Sequence, residues 1–266
     1  MRQVAQKLDV SHVSIHRWEI GQVVPRPEDV SAVLTAVGAS TQLREELIRL
    51  ARDPDSQYWV ASSLPDQQRQ LATLLAIERE ATTITTVDPL LMPGLLQTAD
   101  YARAIMVAAE VPASEVDMRV AVRLGRREAI TRDAPAALHT LIGEWVLDQR
   151  IGGSDVMAAQ LRTLLELAER PNVDLRVLPT RSGWHPALEG PFVLAEFDER
   201  QPLVHIENRR SGQFFHEPDD VQTYRIAVGK VRESAMQPGP SMERIAESAR
   251  EAERHAKPDD GALAEV

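Results

Sequence analysis

The stretch RQVAQKLDVSHVSIHRWEIGQVVPRP, residues 2–27, decides how the first fifth of the chain folds and what it is for. Val4, Ala5 and Leu8, then Ile15 and Trp18, recur at three- and four-residue spacing, the period of one helix face. A tight turn at Asp9-Val10 separates the two groups, and Ser11 is a residue type that caps a following helix. Gly21 ends the second helix, and Pro25 and Pro27 prevent its continuation. The pattern predicts a short helix, a turn, and a second helix from Ser11 to Ile20. Ala5 falls where the two helices approach closely, so a small side chain is needed. Leu8, Val10, Ile15 and Trp18 are the candidate core, which leaves Ser11, His12, Ser14, His16 and Arg17 outward near the start of the second helix. Short polar and cationic side chains at that end of a helix suit the major groove of duplex DNA, and a helix start favours a phosphate.

Working outward, Val30, Val33, Leu34 and Val37, then Leu43, Leu47, Ile48 and Leu50, predict two more helices, the last capped by Ser40 or Thr41 and running to about Arg52. The formal net charge of the whole chain is −10. That would disfavour nucleic acid if it were uniform. Residues 1–52 hold seven Lys and Arg against six Asp and Glu, so the acidity belongs to the remaining four-fifths.

The segment resembles the Cro/cI (Xre-type) helix-turn-helix. One departure is Asp9, where that family often has Gly; Asp tolerates the left-handed conformation better than most residues. A larger departure is that the resemblance implies a further helix ahead of Arg2. Its absence would bare Val4, Leu8, Ile15 and Trp18, a loss of several kcal/mol at about 25 cal/mol per Å². Either the sequence begins late or its start codon was assigned late; in the second case, upstream in-frame codons are expected to encode one more amphipathic helix.

Residues 53–65, rich in Pro, Asp and Ser, read as a linker. Asp66 to about Ala81 is helical, Pro89, Pro93, Gly94 and Gln97 form a structured loop that interrupts the pattern and leads into the helix of Tyr101, and helices are expected at about 98–110 and 113–131. After Pro135 the period changes. Leu138–Leu147, Val173–Pro179, Pro191–Phe197 and Leu203–Asn208 are strand candidates, with a helix from Ser154 to Arg170 entered through Gly152 and Gly153. A helix from about Asp219 to Met236 closes the domain. The expected fold class is mixed: an all-α helix-turn-helix head at 1–52, lacking its first helix, then an α+β domain at 66–236 with a small sheet of about four strands. Residues 237–266 form a tail, with a surface helix at 241–256 and the last ten residues disordered.

Composition and motifs bound the chemistry. The chain has no cysteine, which excludes disulfides, thiolate metal sites and cysteine nucleophiles. It has no secretory signal and no apolar run of membrane-spanning length, so a cytoplasmic address is expected. There is no G-x-G-x-x-G, P-loop, G-x-S-x-G or H-E-x-x-H, so no catalytic residue, cofactor or metal is assigned. The element order resembles half of a phospholipase D-like fold, but that family's H-x-K-x-x-x-x-D is absent. His12 and His16 sit at i, i+4 without a third ligand, so groove contact is the better reading. His205, inside a strand, reads as structural.

Arg119, Arg123, Arg126 and Arg127 fall on one stripe of a helix, either a solvated face or a dock for an acidic partner. Trp184 and His185 in SGWHPALEGPF either line a ligand or peptide site or belong to a surface loop with the Trp packed on the sheet. Leu90, Leu91, Met92, Leu95 and Leu96 are core, or a dimer or partner groove.

VDPLLMPGLLQTADYARAI, RVAVRLGRREAITRD, AERPNVDLRVLP, SGWHPALEGPFVLAEF and VHIEN together resemble the domain that follows Xre-type heads in the WhiJ-like regulators of actinomycetes. The resemblance implies a DNA-binding transcriptional regulator, dimeric on double-stranded DNA, whose C-terminal domain receives a signal from a small partner protein or ligand. The expected contacts are Ser11, His12, Ser14, His16 and Arg17 for DNA. For a small acidic partner they are Arg119, Arg123, Arg127, Trp184 and His185. The alternative is a protein-interaction module with a degraded, non-DNA-binding head.

Overall fold

The computed structural model describes residues 2–8, 10–19, 22–52, 64–207 and 212–256. The turn residue Asp9, the helix stop Gly21, most of the expected linker and the last ten residues lie outside these ranges.

In the head, α1 (Arg2–Leu8) and α2 (His12–Glu19) form the expected pair. Val10 N donates to Ala5 O at 3.2 Å, which closes α1, and Ser14 N donates to Ser11 Oγ at 3.0 Å, the N-cap bond expected of Ser11. α3 (Pro27–Ala36) starts on a proline, whose missing N–H costs nothing in a first turn. α4 (Thr41–Arg52) is capped by Ser40, whose hydroxyl accepts from Leu43 N at 3.3 Å. Ala5 and Ile15 are the buried apolar side chains among the described head residues, and α3 buries none. A cleft of about 750 Å³ opens between α1, α3 and α4, with Leu8, Ala32, Ala36 and Ile48 in its wall.

The C-terminal region begins with α5 (Leu64–Glu80) and β1 (Thr83–Asp88). A 3₁₀ turn (Gly94–Leu96) leads to α6 (Ala99–Ala108), α7 (Ala113–Gly125) and the short α8 (Glu128–Thr131). Then come β2 (Ala137–Gly143), α9 (Trp145–Asp148), α10 (Ser154–Ala168) and β3 (Val173–Leu178). After a second 3₁₀ turn (Pro186–Glu189) follow β4 (Phe192–Glu196), β5 (Leu203–Glu207), β6 (Gly212–Phe215), α11 (Pro218–Ser234) and α12 (Pro238–Ala256).

The strands form one sheet in the order β3-β2-β1-β4-β5-β6. β1, β2 and β3 are parallel, joined by helical crossovers; β4, β5 and β6 run antiparallel. Helices cover both faces. Ile84, Leu138, Ile142, Leu175 and Val177 pack with α5, α6, α10 and α12 on one side. Val87, Leu141, Leu178, Leu194 and Val204 pack under Val221 and Val231 of α11 on the other. This two-sided burial explains the near-continuous apolar run in β2.

The α+β class holds, and four details are corrected. The sheet has six strands rather than about four, because β1 and β6 were not foreseen. The strand expected over Leu138–Leu147 stops at Gly143, and its end is α9. The helix expected over 113–131 is two, α7 and α8. The helix expected to be superficial at 241–256 starts at Pro238, packs along α10 and buries Ile245 and Ala249, so the domain extends through it and does not end at 236.

Candidate functional site

Two regions hold most of the sequence-predicted contact residues. The first is α2. Ile15 faces inward, at 5% exposure, while Ser11, His12, Val13, His16 and Arg17 are exposed and Ser14 is half-buried. His12, His16 and Arg17 are therefore free to reach outward. The first amides of a helix have no intrahelical acceptor, so those of His12 and Val13 add positive character at the start of α2, beside His12. Ser11 and Ser14 are already committed to each other, hydroxyl to hydroxyl at 2.8 Å, as part of the cap. Their part is first to hold the helix start. The five sequence-predicted residues are therefore not all at the start of the helix: Ser11, His12 and Ser14 stand at the first turn, while His16 and Arg17 stand in the last turn, because α2 is only eight residues long.

The second region is the loop between β1 and α6, with the arginines that hold it. Gln97, almost fully buried, donates through Nε2 to Met92 O at 2.8 Å. Buried Gln160 of α10 accepts from Thr98 N at 2.7 Å and donates to Leu96 O at 2.8 Å. Arg123 Nη1 donates to Gln97 Oε1 at 3.1 Å, and Arg127 Nη2 donates to Gln97 O at 2.7 Å. Arg126 forms a two-bond pair with Glu78 of α5.

The arginine stripe read as a partner dock is therefore corrected for Arg123 and Arg127. α7 ends at Gly125, and both guanidiniums turn onto the Pro-rich loop to satisfy its buried carbonyls and amide. Arg119 remains at the surface, paired with Glu115 at 2.7 Å. Burial pushes the Arg123 guanidinium below its usual pKa, a mark of its internal position. Gln97 belongs to the structured loop expected from the sequence, whereas Gln160 and Glu78, which help to organise it, carry no sequence signal of their role. Polar residues in an amphipathic pattern give no sign of which will be buried.

Near this cluster, at the end of β1, Asp88 Oδ2 is buried with no hydrogen-bond partner. Burial pushes the Asp88 carboxyl up to about 7, against the opposing pull of the Thr86 hydroxyl and Arg126. Burial, and secondarily Arg126, pushes His205 down to about 4, and its ring stacks on Phe214 at 4.5 Å. His205 thus stands neutral in the sheet. Among the described residues no three His, Asp or Glu side chains converge to hold a metal ion, and no helix is long and apolar enough to cross a membrane.

Trp184 and His185, adjacent in sequence, part ways in the structure. Trp184 is 69% exposed rather than packed on the sheet, whereas His185 is 5% exposed and its Nδ1 has no hydrogen-bond partner. His185 is corrected from a surface contact to an interior support of the 3₁₀ turn, where its carbonyl accepts from Leu188 N at 3.0 Å. The apolar loop residues also divide. Met92, Leu95 and Leu96 are core, while Leu90 and Leu91 are exposed.

Residues 71–247 match the family described as Domain of unknown function (DUF5753), and residues 1–47 match the family described as Helix-turn-helix domain. No curated protein and no solved structure matches the chain.

Proposed function

This chain belongs to the DUF5753 family and carries a helix-turn-helix head, and from that premise we propose that it is a sequence-specific, Xre-type transcriptional regulator whose C-terminal domain receives a signal. The observation that carries the reading is α2. It is a capped helix with His12, His16 and Arg17 exposed along its outward face, and it sits inside the segment that matches the helix-turn-helix family. The WhiJ-like pattern of the C-terminal region supports a small protein as the signal. Such a signal acts only by binding DNA-competent and DNA-incompetent states with different affinity. Of the arginines first considered for an acidic partner, Arg119 is the one left at the surface. On this reading the chain is a cytoplasmic binding protein without a reaction of its own. It acts as a homodimer, placing two copies of α2 in half-sites about 34 Å apart.

A salt series on duplex DNA selected from genomic fragments tests this. The full chain should bind with affinity that falls steeply as salt rises, because neutralised phosphates release counterions. Replacing His16 and Arg17 together should weaken it. The second reading, a head that no longer binds DNA, is favoured by the fact that, among the described head residues, Ala5 and Ile15 are the buried apolar side chains. It is the right one if affinity is flat with salt, or unchanged by the double replacement.

A further inference from the structure

The carboxyl ends of β1, β2 and β3 leave the sheet along one edge, and the loops that follow them expose five large apolar side chains. They are Leu90 (62%) and Leu91 (44%) after β1, Trp145 (58%) after β2, and Trp184 (69%) and Leu188 (62%) after β3. These loops are fastened to one another. A Cβ on Gly143 would lie 2.2 Å from Pro89 O, so the first loop lies directly on the end of β2. Glu144 N donates to Leu178 O at 2.8 Å, and Thr180 N donates to Glu144 Oε2 at 2.9 Å, which ties the second loop to the third. Arg244 of α12 clamps α9 through Glu144 at 2.7 Å and Asp148 at 3.0 Å. Buried His185, Pro186 and Ala187 anchor the turn that presents Leu188. The apolar side chains thus stand exposed on a rigid frame.

We infer that this edge is the surface through which two copies of the chain pair. At roughly 200 Å² for each fully exposed side chain, the five present about 600 Å² of apolar surface. Summed over the three loops, that is most of the ~800 Å² per partner of a standard interface. A two-fold interface must be self-complementary, and this edge carries both signs of unpaired charge. Arg150 and Arg181 are exposed without an ion-pair partner among the described residues, and so is Glu189. A chain with net charge −10 meets its own copy with least repulsion where the contact is apolar and the flanking charges are mixed. The inference rests on the dimer reading above. It assigns Trp184 to the second copy rather than to an acidic partner, which leaves the Arg119 face of α7 for the signal.

Sedimentation of the full chain, alone and on a two-half-site duplex, tests it. The wild type should be a dimer. W145E with W184E should be monomeric, its dimer dissociation constant raised roughly thirtyfold or more, the effect of one hot-spot residue. The milder W145S with W184S should shift the same way while keeping the wild-type thermal transition. M118E, which alters an equally exposed side chain on α7, should stay dimeric. If both tryptophan pairs leave a folded dimer intact, the edge is not the interface although the dimer reading survives. If the wild type is monomeric alone and on DNA, the dimer reading itself fails, and this inference fails with it.

Discussion

Arg126 and Glu78 meet through two hydrogen bonds, 2.9 Å and 2.7 Å, with side chains only 11% and 4% exposed. Removing one partner from a buried pair leaves an uncompensated charge and costs about 3–5 kcal/mol, whereas replacing both with apolar groups is often neutral. Arg126→Met should therefore lower the midpoint of denaturant unfolding far more than Arg126→Met combined with Glu78→Leu. Equal losses in the single and double variants would mean that the pair contributes through something other than its charge.

Gly143 is a second fixed point. The loop carbonyl of Pro89 occupies the space a side chain would need, and neither backbone can yield without disturbing β1 or β2. Gly143→Ala should destabilise the domain by about 1–3 kcal/mol, the usual cost of overpacking, read as a lower unfolding midpoint. Gly125→Ala, where nothing lies within 4 Å of the added Cβ, is the control expected to keep or raise stability.

The helices and the apolar strands were legible because burial writes a period into the sequence. β2, β3, β4 and β5 were each recognised, as was the entry to α10 through Gly152 and Gly153. β1 was not. Thr83, Thr85 and Thr86 make its composition polar, although Thr85 and Thr86 are 4% exposed and Thr86 bonds Thr140 across the strands at 2.9 Å. β6 is four residues long, too short to establish an alternation. α12 looked superficial because its charged residues outnumber the apolar ones that pack, Ile245 and Ala249. The arginine stripe was misjudged for a related reason. Spacing reports which residues share a face, not whether a loop elsewhere in the chain has buried carbonyls for that face to satisfy. The outward residues of α2 were legible because a short helix with one inward apolar face leaves little choice for the rest.

Asp88 predicts a pH dependence with a definite sign. Its carboxyl is raised from 3.8 to about 7 in the folded protein, so the folded state holds this proton more tightly than the unfolded one. Its contribution is intact below about pH 4, is lost progressively as pH rises toward 7, and stays lost above that. At about 1.4 kcal/mol per unit, the loss is up to about 4 kcal/mol. His205, lowered from 6.5 to about 4, acts in the opposite sense, losing stability as pH falls from 6.5 toward 4. Asp88→Asn removes only the first effect. The variant and the wild type should melt together near pH 4, with the variant increasingly more stable toward pH 8. A difference that does not change with pH would sink this account of Asp88.

Ser11 separates the folding of the head from its contact with DNA. Its hydroxyl caps α2 through Ser14 N, and loss of such a cap costs about 1 kcal/mol. In a head whose buried apolar residues among those described are Ala5 and Ile15, that is a large share of the margin. Ser11→Ala should speed hydrogen exchange of the α2 amides and weaken DNA binding together. Ser11→Asn keeps a capping oxygen without charge and should restore both. Ser11→Asp also caps, and its charge favours the helix start, so exchange should be as slow as in the wild type. The same carboxylate would face the phosphates approaching that helix end, so DNA affinity should fall even though the head is folded. Arg17→Ala should complete the pattern, with normal exchange, weaker binding and a salt slope smaller by about one. If Ser11→Asp binds DNA as tightly as the wild type, the start of α2 does not face the phosphate backbone, and the contact must lie elsewhere on the head.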